Sequence, residues 1–155
     1  MQVAEIMTRA SVTESPADPL RDAAARMWKQ QTGSLLVMEG DALLGIVTER
    51  DLMKAVARGA DLDTTPVSAV MTRSVLTVDP QTSLHEAARH MATRWIRHLP
   101  VLDDGLVVGM VSQRDLCGVL AALGTAPGNE PAGEMRADEL VRTRRLARIE
   151  PGDLD

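Results

Sequence analysis

The stretch Gly45-Ile46-Val47-Thr48-Glu49-Arg50-Asp51 returns later in the chain as Gly109-Met110-Val111-Ser112-Gln113-Arg114-Asp115. Each copy starts with a glycine-led apolar run and ends in a helical first turn that carries a hydroxyl and, three residues on, a carboxylate. This pattern predicts a strand feeding straight into a helix N-terminus, where unpaired backbone N–H groups collect and a polar ligand can be held. The same residues also read as a capping box, in which hydroxyl and carboxylate satisfy the helix's own donors. At this level both readings stand.

Displacing the chain by 64 residues, Gly45 onto Gly109, aligns residues 6–52 with 70–116 without a gap. Sixteen pairs are identical, among them Met7/Met71, Thr8/Thr72, Arg9/Arg73, Leu20/Leu84, Ala23/Ala87, Met27/Met91, Arg50/Arg114 and Asp51/Asp115. Two copies are too few for a solenoid, so the pair is expected to close on itself as a pseudo-symmetric unit.

Each copy reads in the same order. A short apolar segment, Val12-Thr13 or Leu76-Thr77, is followed by a helix opening at Asp18-Pro19 or Thr82-Ser83. Its expected buried stripe runs through Leu20, Ala23, Ala24, Met27 and Gln31, or Leu84, Ala87, Ala88, Met91 and Trp95. Two apolar runs joined by Glu39-Gly40-Asp41 or Asp103-Asp104-Gly105 predict a hairpin. A second helix runs from Thr48 to Gly59, or from Ser112 to Gly124, with glycine at the left-handed C-terminal position. Each repeat is therefore β-α-β-β-α. Boundaries fall at residues 1–62 for the first repeat and 65–124 for the second. Residues 125–155, rich in Pro and Gly at first and then in Arg and acidic residues, read as a linker and flexible tail.

Composition narrows the function. The net charge of −5 disfavours a nucleic-acid or anionic-membrane surface, which needs a concentrated basic face. No apolar run approaches the roughly 20 residues that span a bilayer. Cys117 is the only cysteine, which excludes an intrachain disulfide and a cysteine-based zinc site, and cytoplasmic placement is expected. Its alignment with Met53 reads it as a small buried hydrophobe. His85 and His90 lie five apart on a helix and do not share a face, so no metal site is expected. Trp28 and Trp95 read as packing or rim residues, with Trp95 a candidate to flank an adenine. No phosphate-cradling glycine loop, no Ser/His/Asp set and no metal-plus-base pattern is present, so the chain is expected not to be an enzyme.

The paired Ile/Val-Met-Thr-Arg lead-ins, Leu-x-Val strands and Gly-h-Val-Thr/Ser-x-Arg-Asp-Leu corners resemble a pair of CBS domains across residues 2–124. The resemblance implies an α/β fold: two CBS repeats packed sheet to sheet as one Bateman module with two clefts, commonly paired into a homodimer. It further implies adenine nucleotides (AMP, ADP or ATP) or related adenosyl compounds as ligands, with no cofactor required. Asp115 and Asp51 are then ribose anchors, because a carboxylate accepts two hydrogen bonds from a diol. Ser112 and Thr48 are the hydroxyl contacts beside phosphate. Thr8 and Thr72 match a cleft-lining position, although turn capping fits them equally.

Arg97-His98-Leu99-Pro100 matches a family segment whose basic residues meet phosphate, whereas its counterpart is Gly33-Ser34-Leu35-Leu36. The cleft of Asp115 with Arg97 and His98 is therefore expected to prefer AMP, ADP or ATP. The cleft of Asp51 is expected to be weak or to take a less charged adenosyl group. The functional expectation is a regulatory module acting on an unknown protein target. The alternative is a ligand-free dimerisation scaffold in which both aspartates only cap helices.

Overall fold

In the computed structural model, residues 1–9 and 11–123 are described. The expected tail, residues 125–155, and the expected helix end at Gly124 lie outside them. The elements run α1 (Val3–Ile6), β1 (Thr13–Glu14), α2 (Leu20–Gln30), β2 (Ser34–Glu39), β3 (Ala42–Thr48), α3 (Glu49–Ala57), a 3-10 turn (Val67–Ala69), α4 (Leu84–Arg94), β4 (His98–Asp103), β5 (Leu106–Ser112) and α5 (Gln113–Leu123). The α/β reading and the internal pseudo-symmetry hold.

β2 and β3 form one antiparallel hairpin and β4 and β5 the other, with matching register breaks after Val37 and Val101. β1 joins β2 in parallel, whereas its counterpart is reduced to a single bridge from Val78 to Val101. Pro100 supplies the reason. The Leu36 N–H donates to the Val12 carbonyl at 3.1 Å, and proline at the equivalent position has no N–H to give.

Alternation along the strands sorts the core into three parts. Leu35, Val37 and Val47 pack with Leu20, Ala23 and Met27 of α2. Leu99, Val101 and Val111 pack with Ala87 and Met91 of α4. Leu36, Ile46 and Met110 face the other way and form the seam between the two sheets. The stripes are shorter than expected: Ala88 is exposed, and Gln31 and Trp95 are left-handed C-caps (φ 50° and 55°) that project outward. Pro19 is itself the N-cap of α2, one position earlier in the helix frame than expected.

The repeats exchange their lead-in segments. Val3 and Ile6 are buried in the core of the second hairpin, while Val67 and Met71 are buried in that of the first. Thr8 forms a two-way backbone pair with Met110 (2.8 and 2.9 Å), and Thr72 does the same with Ile46 (2.9 and 3.0 Å). The packing units are thus not the contiguous repeats of the sequence.

Candidate functional site

Each corner closes as a cap. The Thr48 N–H and hydroxyl donate to Asp51 Oδ2 at 2.8 and 2.9 Å, and the Asp51 N–H donates back to Thr48 Oγ1 at 3.4 Å. Ser112 and Asp115 repeat this at 2.8, 2.7 and 3.3 Å. The capping reading is therefore realised in both copies. It does not exhaust either side chain, because an ionised carboxylate offers about four acceptor positions. Helix geometry instead holds both carboxylates in one orientation; Asp115 is buried to 7% exposure.

The lead-in exchange then brings each corner against the opposite half. Thr8, Ser112 and Asp115 line one cleft of about 800 Å³, and Thr48, Asp51 and Thr72 line the other, of about 460 Å³. Arg97 and His98 line both. All eight candidate residues thus fall into two clefts, but the basic pair sits on a shared wall instead of belonging to Asp115 alone.

The charge balance is consequently the reverse of the sequence expectation. The Asp51 cleft also gathers Arg50 and Arg94, which the sequence reading had not singled out. The Asp115 cleft gains Arg114 but also Glu49, whose carboxylate lies 3.6 Å from an Arg97 nitrogen. It further contains Thr8, Ser11 and Ser34, three buried hydroxyls with no hydrogen-bond partner among the described residues. Their counterparts across the pseudo-twofold are Thr72, Val75 and His98. A buried hydroxyl without a partner carries an unmet cost that a polar ligand or water would relieve. One cleft is thus arginine-rich and the other hydroxyl-rich. The repeated Arg50/Arg114 pair was a signal in the sequence for two of the missed residues. Nothing local marked Ser11, Ser34 or Glu49.

Cys117 is exposed at the Asp115 cleft, contrary to the buried role expected of it; α5 presents that face to the cleft, not to the core. Among the described residues no group of three His, Cys, Asp or Glu is placed to hold a metal ion, and no helix is long and apolar enough to cross a membrane.

The family description "CBS domain" matches residues 3–58 and again 67–122. The chain belongs to the CBS-domain family. Among curated relatives, the CBS domain-containing protein YhcV of Bacillus subtilis is 36% identical over 115 residues, covering 74% of this chain and 81% of its own. Two solved CBS structures share the fold at a TM-score of 0.72. The CBS domain protein PAE2072 of Pyrobaculum aerophilum, complexed with AMP, is 31% identical and is covered in full by 81% of this chain. The CBS domain pair of protein MJ0100, in complex with 5′-methylthioadenosine and S-adenosyl-L-methionine, is 26% identical, with 79% of this chain covering 98% of it. The two CBS repeats of this chain therefore form the paired module that the sequence resemblance implied.

Proposed function

We propose that this CBS pair is a non-catalytic regulatory module, cytoplasmic and homodimeric, that binds adenine nucleotides or adenosyl compounds in its two clefts. The observation that carries this reading is the pairing, in each cleft, of a cap-oriented aspartate with a threonine from the opposite half, Asp51 with Thr72 and Asp115 with Thr8. The structural relatives that hold AMP and adenosyl ligands support the ligand class.

The unequal walls support an unequal division of ligands. Guanidinium groups pair with phosphate through charge-assisted, often bidentate hydrogen bonds. The Asp51 cleft, with Arg50, Arg94 and Arg97, takes AMP, ADP or ATP. The Asp115 cleft, where Glu49 opposes an anion and three hydroxyls lack partners, takes an adenosyl compound of lower negative charge. Binding changes the angle between halves or between modules only as far as the ligand favours one arrangement, and a partner protein reads the result. Dimerisation uses the apolar residues that α3 and α5 leave exposed, Met53 and Val56 on one helix and Leu120 and Leu123 on the other. The scaffold alternative has the completed caps in its favour.

Calorimetric titration with AMP and with 5′-methylthioadenosine separates these readings. Asp51→Ala is expected to weaken AMP by roughly tenfold or more, as for a lost hydrogen bond to a charged group, and to spare 5′-methylthioadenosine. Asp115→Ala is expected to do the reverse. Wild-type protein that binds neither compound, or two variants that bind both like wild type, would leave the scaffold.

Glu49→Gln offers an independent check of the charge argument. Its ion pair with Arg97 is exposed on both sides, so melting temperature should hardly move. Affinity for AMP should rise roughly threefold to tenfold as one negative charge leaves the side of Arg97, which lines both clefts. An unchanged affinity would remove Glu49 from the account of selectivity.

A further inference from the structure

The chain contains two tryptophans, no phenylalanine and no tyrosine. Neither indole serves the core: Trp28 is 66% exposed and Trp95 83% exposed. Leaving a chain's largest apolar surfaces in water forgoes the burial that usually justifies them. Each indole nevertheless lines a cleft, Trp28 that of Asp115 and Trp95 that of Asp51.

The internal repeat does not account for this distribution. Trp28 aligns with Ala92, and Trp95 aligns with Gln31. One aromatic residue reaches each cleft from a different helical position, so the two indoles are not equivalent under the repeat. Trp95 is also held at φ 55°, with its N–H donating to the Met91 carbonyl and the next N–H, that of Ile96, reaching the same carbonyl. A left-handed C-cap is the position where glycine or asparagine is economical, and a bulky side chain there is an outlier. An indole so exposed recovers nothing from the protein against that cost, which directs attention to what would cover it. In the same cleft lie the arginines suited to phosphate and the aspartate suited to a ribose. A flat apolar surface next to those groups suits a nucleobase, which stacks on aromatic rings irrespective of its hydrogen-bonding edge.

We propose that Trp95 and Trp28 are the base-stacking residues of the Asp51 and Asp115 clefts, one indole for each bound purine. The inference rests on the nucleotide-binding reading above and adds to it the group that recognises the base. Because Trp95 caps its helix and Trp28 lies three residues before the equivalent cap, the two bases are covered from different positions. This is a second source of inequality between the clefts, beside charge.

Each indole should also report on its own cleft. In Trp28→Phe, where Trp95 is the only indole, AMP is expected to quench the fluorescence, and adding Asp51→Ala should abolish that response at the same AMP concentration. In Trp95→Phe, 5′-methylthioadenosine is expected to quench Trp28. By calorimetry, Trp95→Ala should weaken AMP by about fivefold to a hundredfold, the range of a lost base–aromatic stack, while Trp95→Phe retains most of the affinity. Thermal melting of both variants should match wild type, since the ring buries little. If wild type binds AMP and Trp95→Ala binds it within twofold, the stacking inference alone is overturned. If wild type binds neither AMP nor 5′-methylthioadenosine, the nucleotide reading falls and the stacking role falls with it.

Discussion

Gly109→Ala is expected to be among the most damaging single-methyl additions in this protein, lowering stability by roughly 2–4 kcal/mol. A Cβ on Gly109 would lie 2.6 Å from the Thr8 carbonyl oxygen and 2.9 Å from the Met7 sulfur. The sulfur can swing aside, but the carbonyl cannot. Thr8 is fixed by its two backbone hydrogen bonds with Met110, and just before it α1 is anchored by Val3 and Ile6 in the second core. Relief therefore requires breaking the bridge or pulling α1 outward. Either movement shifts Thr8 and with it one wall of the Asp115 cleft. Gly45 occupies the equivalent crossing, where a Cβ would meet the Thr72 carbonyl oxygen and the Met71 sulfur, each at 2.8 Å.

Chemical denaturation provides the measurement, with Gly59→Ala as the reference. Gly59 has φ 73° and open space around it, so alanine there meets only the backbone cost of about 1 kcal/mol. Gly109→Ala should exceed that reference clearly, and should weaken 5′-methylthioadenosine binding as well. Equal destabilisation by the two substitutions would mean that the crossing yields easily and that the lead-in exchange is not a rigid feature.

Glu14→Val is expected to act in the opposite direction. Glu14 sits in β1, paired with Val37, where the second repeat places Val78 against Val101. Its side chain is 0% exposed, and among the described residues neither carboxylate oxygen finds an aligned hydrogen bond, although Arg26 Nε lies 3.0 Å from Oε2. Burial, aided by Asp18 and Asp22, raises its pKa from 4.5 to about 7, against the opposing charge of Arg26.

The direction of the pH effect follows from linkage. The folded chain holds the Glu14 proton more tightly than the unfolded chain does, so the favourable contribution is complete below pH 4.5. It is lost as pH rises toward 7, and above that the buried carboxylate costs on the order of 2–3 kcal/mol. Glu14→Val removes the group, fills the site with the residue the repeat uses elsewhere, and leaves the half-exposed Arg26 to water. Thermal melts should therefore show the variant ahead of wild type by roughly 5–10 °C at pH 8, with the gap narrowing toward pH 5. A gap that is constant across that range would show that Glu14 does not titrate in the folded protein. A less stable variant would show that the Arg26 pair outweighs the burial.

Much of the fold was legible because its signals are local. Helical stripes through Leu20, Ala23 and Met27, turn residues at Gly40 and Gly105, and hydroxyl–carboxylate corners at Thr48/Asp51 and Ser112/Asp115 each act within a few residues. Repetition at an interval of 64 then tied them into two like units. The ends of the stripes were misread for a local reason too: Gln31 and Trp95 continue the helical spacing, but the chain has already turned left-handed at both.

By itself, then, the sequence determined that the chain builds two like repeats of the CBS family, each with a helix, a hairpin and a second helix, and which side chains cap the second helix of each. Tertiary structure alone decided which half each lead-in joins, that Arg97 and His98 line both clefts, and that Arg50 and Arg94 make the Asp51 cleft the more basic one. It also decided that Glu14 is buried while Trp95 is not. The physical reason is that these outcomes depend on surfaces brought together from distant parts of the chain, Thr8 beside Met110 above all. Periodicity and capping act over one or two turns and carry no information about which surfaces will meet.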